Sequence, residues 1–287
     1  MAFPSARIGD NHTCPMVDPG PKPHVGGPIL PPCHPVTMAG SLPMSRVTDK
    51  ATCLGPPDFI VTGSGSVLVG GKPASRTTDK TMHGGVITGG LGSVVIGGPT
   101  VGATLGDPLA GRDSCASAAG GRTSGKTQQT YGNCGVESAR QIINRSGKNI
   151  DEDTLLNTAI KKGWAQDSAK ATQRGGTSPA DRQAILKSQG VDSTLGPQGM
   201  QTIQQAVAEG KGVITSHDAG KLWNDPRYNG GGHAVQVTGV EYDADGKPKT
   251  VFINDTGNGK CMNPVKADQF SNSLRPGMGV NVTSKPL

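Results

Sequence analysis

Aromatic residues are scarce: four Phe, three Tyr and two Trp, 3% of the 287 residues. Aromatics usually supply much of a core's buried area, so one large core is not expected, and the length suits two small domains of about 100–200 residues each. No stretch of about 18 apolar residues occurs, which excludes a helical membrane span. The opening, MAFPSARIGDNHTCP, lacks a basic segment followed by an apolar one, so the expectation is a chain made in the cytoplasm without a cleaved signal peptide. Lys and Arg outnumber Asp and Glu by 28 to 22 but form no basic run. Phosphate recognition needs a clustered basic face, so nucleic acid is not an expected partner. The six cysteines, at 14, 33, 53, 115, 134 and 261, follow no compact framework. In a reducing compartment they would not stay paired, and each is therefore read singly.

Glycine and proline are abundant instead, 44 and 22, and 15 of the prolines fall before residue 116. The stretch from Gly106 to Gly125 is small, polar and without apolar period, the composition of a flexible connector. The expected division is therefore a domain over 1–105, a linker over 106–124 and a second domain over 125–287. The first domain repeats itself. Ser45-Arg46-x-Thr48-Asp49-Lys50 returns 30 residues later as Ser75-Arg76-x-Thr78-Asp79-Lys80, and Ala6-Arg7-Ile8-Gly9-Asp10 is a more distant copy. Short β-type runs such as Val67 to Val69 and Val94 to Ile96, each followed by Gly-Gly, with no helical period, indicate an all-β module of hairpins.

Seven residues after the arginine of each copy stand Cys14, Cys53 and His83. Thiols and imidazole at one repeat-equivalent position would converge near a pseudo-threefold axis, with His12 or His24 completing a tetrahedral zinc site. An isolated Cys or His is more often a buried thiol or a surface turn residue; registration in three copies is what favours a metal. Such a staple suits a β module this poor in apolar residues.

The segments ARIGDNHTCP, PHVGGPI, CLGPPDFI, GGKPASR and HGGVITGG, in that order over residues 1 to about 105, resemble a PAAR-repeat protein, the cone that caps the spike of the type VI secretion machine. The resemblance implies a β cone with zinc typically held by three histidines and one cysteine, which designates His12, His24, His83 and Cys53. The repeat register selects Cys14 in place of His12, and both stay open. It further implies the spike trimer as docking partner and secretion through that machine. The family usually has Gly-Asp where copies two and three carry Thr48-Asp49 and Thr78-Asp79, a departure at two turns.

Beyond residue 125 helices and strands alternate. Asn133 to Gly147 sets Val136, Ala139 and Ile143 on one helical face and stops at a glycine. Ser178-Pro179-Ala180-Asp181 is an N-cap with proline at the first helical position, opening a helix to Gly190, and a third helix runs from Met200 to about Glu209. Strands are expected over Gly212–Ser216, His233–Tyr242 and, after an Asp245-Gly246 turn, Val251–Asn254. The helical insert from Asp151 to Gly175 matches no pattern. Helices first and antiparallel strands second is an α+β order.

Cys134 would occupy the first turn of its helix, where unpaired N–H groups and the helix dipole favour a thiolate. A nucleophile needs a base in reach and a group to orient that base. His233 follows Gly230, Gly231 and Gly232, and the next strand ends in Asn254-Asp255, so a carboxylate or an amide could meet it across an antiparallel pair. Gln128, six residues before Cys134, could aim an amide at an oxyanion, a donor typically worth about 2.7–4 kcal/mol in the transition state. Each of these taken alone has a structural reading, a strand cap or a turn former; the four together are harder to obtain by chance. His217, beside Asp218, is a rival base, though neighbours along a strand point to opposite faces.

The order Gln, Cys, His, Asp, carried by QQTYGNCG at 128–135, GGHAVQVTGV from 231 and VFINDTG ending at 257, resembles papain-like cysteine peptidases, the bacteriocin-processing branch most. The fold so implied is two domains, an N-terminal all-β PAAR cone and a C-terminal α+β papain-like cysteine peptidase. That branch implies Asp255 as orienter, the papain branch Asn254, and the former cuts after paired glycines. Catalysis would need no cofactor. Together the halves imply a secreted antibacterial effector that cleaves proteins inside a recipient bacterium, with a cognate immunity protein as partner. A deamidase, transglutaminase or peptidoglycan amidase using the same triad is the alternative, and an inert spike tip the non-enzymatic one.

Overall fold

In the computed structural model, Arg7, Arg46 and Arg76 each fold back on the aspartate three residues ahead, with Nε to carboxylate distances of 3.2, 3.5 and 3.0 Å. The same aspartates accept the arginines' backbone N–H groups, so each repeat opens with a closed turn. The structure describes every residue except Pro19, Pro21, Arg112, Ser114, 116–131, Ala171 and Thr172. These residues fold as two units, Met1–Leu105 with Glu241–Lys249, and Gly106–Val240 with Thr250–Leu287.

The residue before each turn aspartate is left-handed in all three copies: φ is +84° at Gly9, +72° at Thr48 and +74° at Thr78. The threonines therefore keep the turn that glycine makes, although a β-branched side chain there costs of order 1–2 kcal/mol. What holds them is a repeated backbone pairing. Gly9, Thr48 and Thr78 donate N–H to the carbonyls of Ile29, Ile60 and Ile87, whose own N–H groups donate to Asp10, Asp49 and Asp79. The three isoleucines are buried together with Ala6, Cys33 and Ala51. At the centre, Ala6, Ser45 and Ser75 exchange backbone bonds in a ring: Ala6 N–H to Ser75, Ser75 N–H to Ser45, and Ser45 N–H to Ala6, at 3.0–3.1 Å. Three equivalent residues bonded head to tail define a pseudo-threefold axis. The elements around it are short strands, such as Leu68–Val69 paired with Lys72–Pro73 across Gly70-Gly71, and Leu91–Ile96 against Phe3–Ser5. This unit is all-strand.

The second unit mixes helices with a sheet. Its helices are α1 (Cys134–Arg145), α2 (Glu152–Lys161), α3 (Pro179–Ser188), α4 (Met200–Ala208), α5 (Ala219–Trp223) and α6 (Ala267–Ser273). Its strands are β1 (Ser193–Gly196), β2 (Lys211–Asp218), β3 (Gly232–Tyr242), β4 (Pro248–Asp255), β5 (Lys260–Lys266) and β6 (Val280–Pro286), which lie side by side in the order β1-β6-β2-β3-β4-β5. Val136, Ala139, Ile142 and Ile143 of α1 pack with Leu155 and Leu156 of α2, Ile185 and Leu186 of α3, Ile214 of β2 and Ala234 of β3. That core seats the start of α1 over the middle of the sheet. Ser178 caps α3 through a box with Asp181, each side chain taking the other's backbone N–H. No helix among the described residues is long and apolar enough to cross a membrane.

Three departures from the sequence expectations stand out. β1, β5, β6, α5 and α6 were not anticipated, and helices and strands interleave more than the expected order. β6 lies inside the sheet with Asn281 and Thr283 buried beside Val280 and Val282, so polar residues mask its apolar signal. The expected flexible connector is anchored where it is described. Asp107 N–H donates to the Thr238 carbonyl, Asn254 Nδ2 donates to that of Ala110, and Cys115 is disulfide-bonded to Cys261. Reading the thiols singly missed this pair, because 146 residues separate its members and only the fold brings them together.

Candidate functional site

Cys134 is the first residue of α1, and Ala234 N–H of β3 donates to its Sγ at 3.3 Å. The neighbouring β3 residue, His233, puts Nε2 2.7 Å from Asp255 Oδ1 at the end of β4. A helix start and two adjacent strands thus deliver three side chains to one place. Asp255 is held on both oxygens. Oδ1 also accepts the N–H groups of Gly257 and Asn258, and Oδ2 accepts Trp223 Nε1–H at 2.6 Å. The Trp223 ring lies against His233 with centroids 4.9 Å apart. A Cβ on Gly257 would come within 2.6 Å of the imidazole, so the turn after Asp255 closes over His233 only with glycine there.

Burial would push the Cys134 thiol up; the charge on His233 outweighs it, with a hydrogen bond from that ring, the Ala234 N–H and the charge on Arg182, and the net direction is down. Burial likewise would lower His233, but the Asp255 carboxylate and then Cys134 carry it up to about 10. Asp255 stays below the usual carboxylate range, its burial overcome chiefly by His233. Each shift favours a thiolate–imidazolium pair.

The rival residues are engaged elsewhere. Asn254 donates to Ala110 and Gln236 and accepts Met262 N–H, a structural knot tying β4 to its surroundings. His217 is buried between Thr215 Oγ1 and Ser273 Oγ, and burial lowers it to about 3, so it is neutral. Gln128 lies outside the described residues. A cleft of about 180 Å³ opens over the sulfur, lined by Gly132, Cys134, Gly176, Arg182, Gly232 and His233 among others. Sequence reasoning missed Trp223 and Arg182. Trp223 carried a usable signal as one of only two tryptophans; Arg182, on a helix rich in polar residues, carried none.

In the first unit Cys14, His24, Cys53 and His83 gather, with ligand atoms all within 4.8 Å of one another. The sulfurs of Cys14 and Cys53 are 3.2 Å apart, His24 Nδ1 is 3.1 Å from Cys53 Sγ, and His83 Nδ1 is 3.6 Å from Cys14 Sγ. His12 stands apart from this set: its Nε2 meets Asp58 Oδ2 at 3.3 Å and its Nδ1 meets the Gly27 carbonyl. His24 turns its second nitrogen to Asp18 Oδ1 at 3.0 Å, the orientation that carboxylates give metal-binding histidines. Burial, then Cys14, pushes the Cys53 thiol up to about 12. Two thiols this close cannot both ionise without a cation between them, and two thiolates with two imidazoles are a tetrahedral zinc-type donor set.

The Peptidase_C39 like family matches residues 124–275, more than half of the chain. The chain belongs to that family. A PAAR motif matches residues 19–89, so the protein joins a PAAR region to a C39-like peptidase domain. Uncharacterized proteins of Mycobacterium bovis and Mycobacterium tuberculosis are 28% identical over 158 residues, covering 45% of this chain and 66% of theirs. The match thus spans just under two thirds of those curated relatives. Among solved structures, one described as a C39-like peptidase from Bacillus anthracis is 16% identical with a TM-score of 0.41, covering 53% of this chain and 88% of that one. A double glycine motif protease from an AMS/PCAT transporter, in complex with its leader peptide, is 15% identical with a TM-score of 0.37, covering 56% and 95%.

Proposed function

We propose that the protein is a type VI secretion antibacterial effector, whose PAAR cone docks on the spike trimer and whose C39-like domain cleaves proteins of the recipient bacterium through a Cys134–His233–Asp255 triad. The observation that carries the reading is the meeting of Cys134, from the start of α1, with the His233–Asp255 pair of β3 and β4 beneath an open cleft. Cys134 Sγ attacks the peptide carbonyl carbon, and the electron pair moves to the oxygen, which Gln128 and backbone N–H groups would receive. Because Nε2 is committed to Asp255, Nδ1 of His233 carries the proton to the leaving amine. It then draws a proton from water, which hydrolyses the thioester and returns the thiolate. By resemblance to bacteriocin-processing peptidases, cleavage follows paired glycines; Gly132, Gly176 and Gly232 line the cleft beside the nucleophile.

Zinc bound by Cys14, His24, Cys53 and His83 would serve structure in the cone, and a cognate immunity protein would protect the producer. Secretion would proceed from the producer's cytoplasm, with action inside the recipient. Wild-type chain and Cys134→Ala are compared for growth arrest when expressed without an immunity protein. Arrest by wild type alone is expected, and equal toxicity of the two ends the proposal. Mass analysis of a recipient substrate separates chain cleavage from the shift of about one dalton that deamidation would give.

A further inference from the structure

Arg182, near the start of α3, lines the same cleft as Cys134, and it is a cation that acyl transfer by Cys134, His233 and Asp255 does not call for. Its side chain is buried, 1% exposed, yet lines the cleft. Nη2 donates to Ser216 Oγ at 2.6 Å, Nε meets no hydrogen-bond partner, and among the described residues no carboxylate forms an ion pair with it. A guanidinium withdrawn from water in this way needs a nearby anion.

Most other charged groups around the sulfur are already engaged. His233 of β3 pairs with Asp255 of β4. On α1 itself Glu137 and Arg140 pair at 2.8 Å. Asp181 is turned to its cap, where Oδ2 accepts Ser178 N–H, and His217 of β2 is neutral. Arg275 lines the cleft and reaches the Gly230 carbonyl, a second cation that pairs with no carboxylate among the described residues. With the proton on His233, Asp255, His233 and Arg182 together leave one positive charge, which an ionised Cys134 balances.

We propose that Arg182 is the resident counter-cation of the Cys134 thiolate, a positioning residue that keeps the sulfur ionised independently of the proton on His233. The inference rests on Cys134 being the nucleophile. His233 surrenders its positive charge during each turnover, whereas the guanidinium keeps its own: burial lowers Arg182, but only to about 10. The thiolate that leaves the thioester therefore returns to a cation.

The test is the pH dependence of alkylation by iodoacetamide, read from the mass of the Cys134 peptide so that other thiols do not contribute, in the full chain. Arg182→Lys keeps the charge; Arg182→Met and Arg182→Gln remove it, the latter retaining a donor for Ser216. Arg182→Lys is expected to share the wild-type midpoint. The neutral variants are expected to rise by about one pH unit, a roughly tenfold slower reaction at any pH below both midpoints. The proposal is overturned if a folded neutral variant keeps the wild-type midpoint, or if Arg182→Lys shifts as far as the neutral variants. Should neither neutral variant fold, His233→Ala decides. With Arg182 intact its midpoint is expected below the free-thiol value of about 8.5, and a midpoint above it overturns the proposal. A wild-type midpoint at the free-thiol value would instead remove Cys134 as nucleophile, so the two failures are distinguishable.

Discussion

At the scale of single residues, the site is a chain of charges whose members set one another's protonation. Cys134 is lowered and His233 raised to about 10, so the reactive pair forms on the acid side of the usual thiol value and survives until the imidazolium loses its proton. The rate against pH should therefore climb below the usual thiol range as Cys134 ionises and fall near 10 as His233 deprotonates. A kcat/KM profile on a Gly-Gly peptide would show this. Asp255→Asn preserves size but removes the charge that lifts His233; the alkaline limb should move down and kcat fall by about 10²-fold or more. Trp223→Phe keeps a ring against the imidazole and deletes the donor to Asp255 Oδ2. A hydrogen bond to a charged group is worth about 1.5–3 kcal/mol, and a stability loss of that order is expected in urea titration, with slower Cys134 alkylation. Cys134 and His233 could be found in the sequence because their neighbours, a helix start and a run of glycines, carry the chemistry locally. Arg182 and Trp223 could not be assigned, because their roles depend on what other segments bring beside them.

At the scale of elements, the repeat turns show how a backbone network overrides a residue's preference. Thr48 and Thr78 hold the conformation that Gly9 adopts freely, since the paired Ile60 and Ile87 bonds leave the chain no other course. Thr48→Gly and Thr78→Gly should each stabilise the first unit by of order 1 kcal/mol, measured by urea unfolding; a loss would mean that the threonine side chains matter more than the turn strain. The same repeats were legible from spacing alone, as was the capped start of α3, because local signals fix both. β1, β5 and β6 escaped notice for the opposite reason. β5 holds Pro264 and only two apolar residues flanking it closely, and β6 buries Asn281 and Thr283, so their strand character comes from partners in the sheet and not from their own pattern.

At the scale of the whole molecule, the register of three repeats was enough to select Cys14, Cys53 and His83, whereas the family resemblance also favoured His12, which the structure spends on Asp58. If the gathered thiols and imidazoles hold zinc, chelation should lower the unfolding temperature of the first unit, and zinc released by acid should approach one per chain. Cys134 alkylation should be unchanged, because its groups lie in the other unit. The feature least legible from sequence has the widest reach. Cys115 precedes Cys134, and Cys261 follows Asp255, so their bond closes a covalent hoop containing Cys134, His233 and Asp255. Closing 146 residues trims the freedom of the unfolded chain by an amount worth about 5 kcal/mol on the chain-entropy view. A single nick inside the hoop would leave both fragments joined, one band on a gel until a reductant is added. In thiol-rich surroundings the second unit would shed that hoop, and its lifetime would follow the redox poise around it.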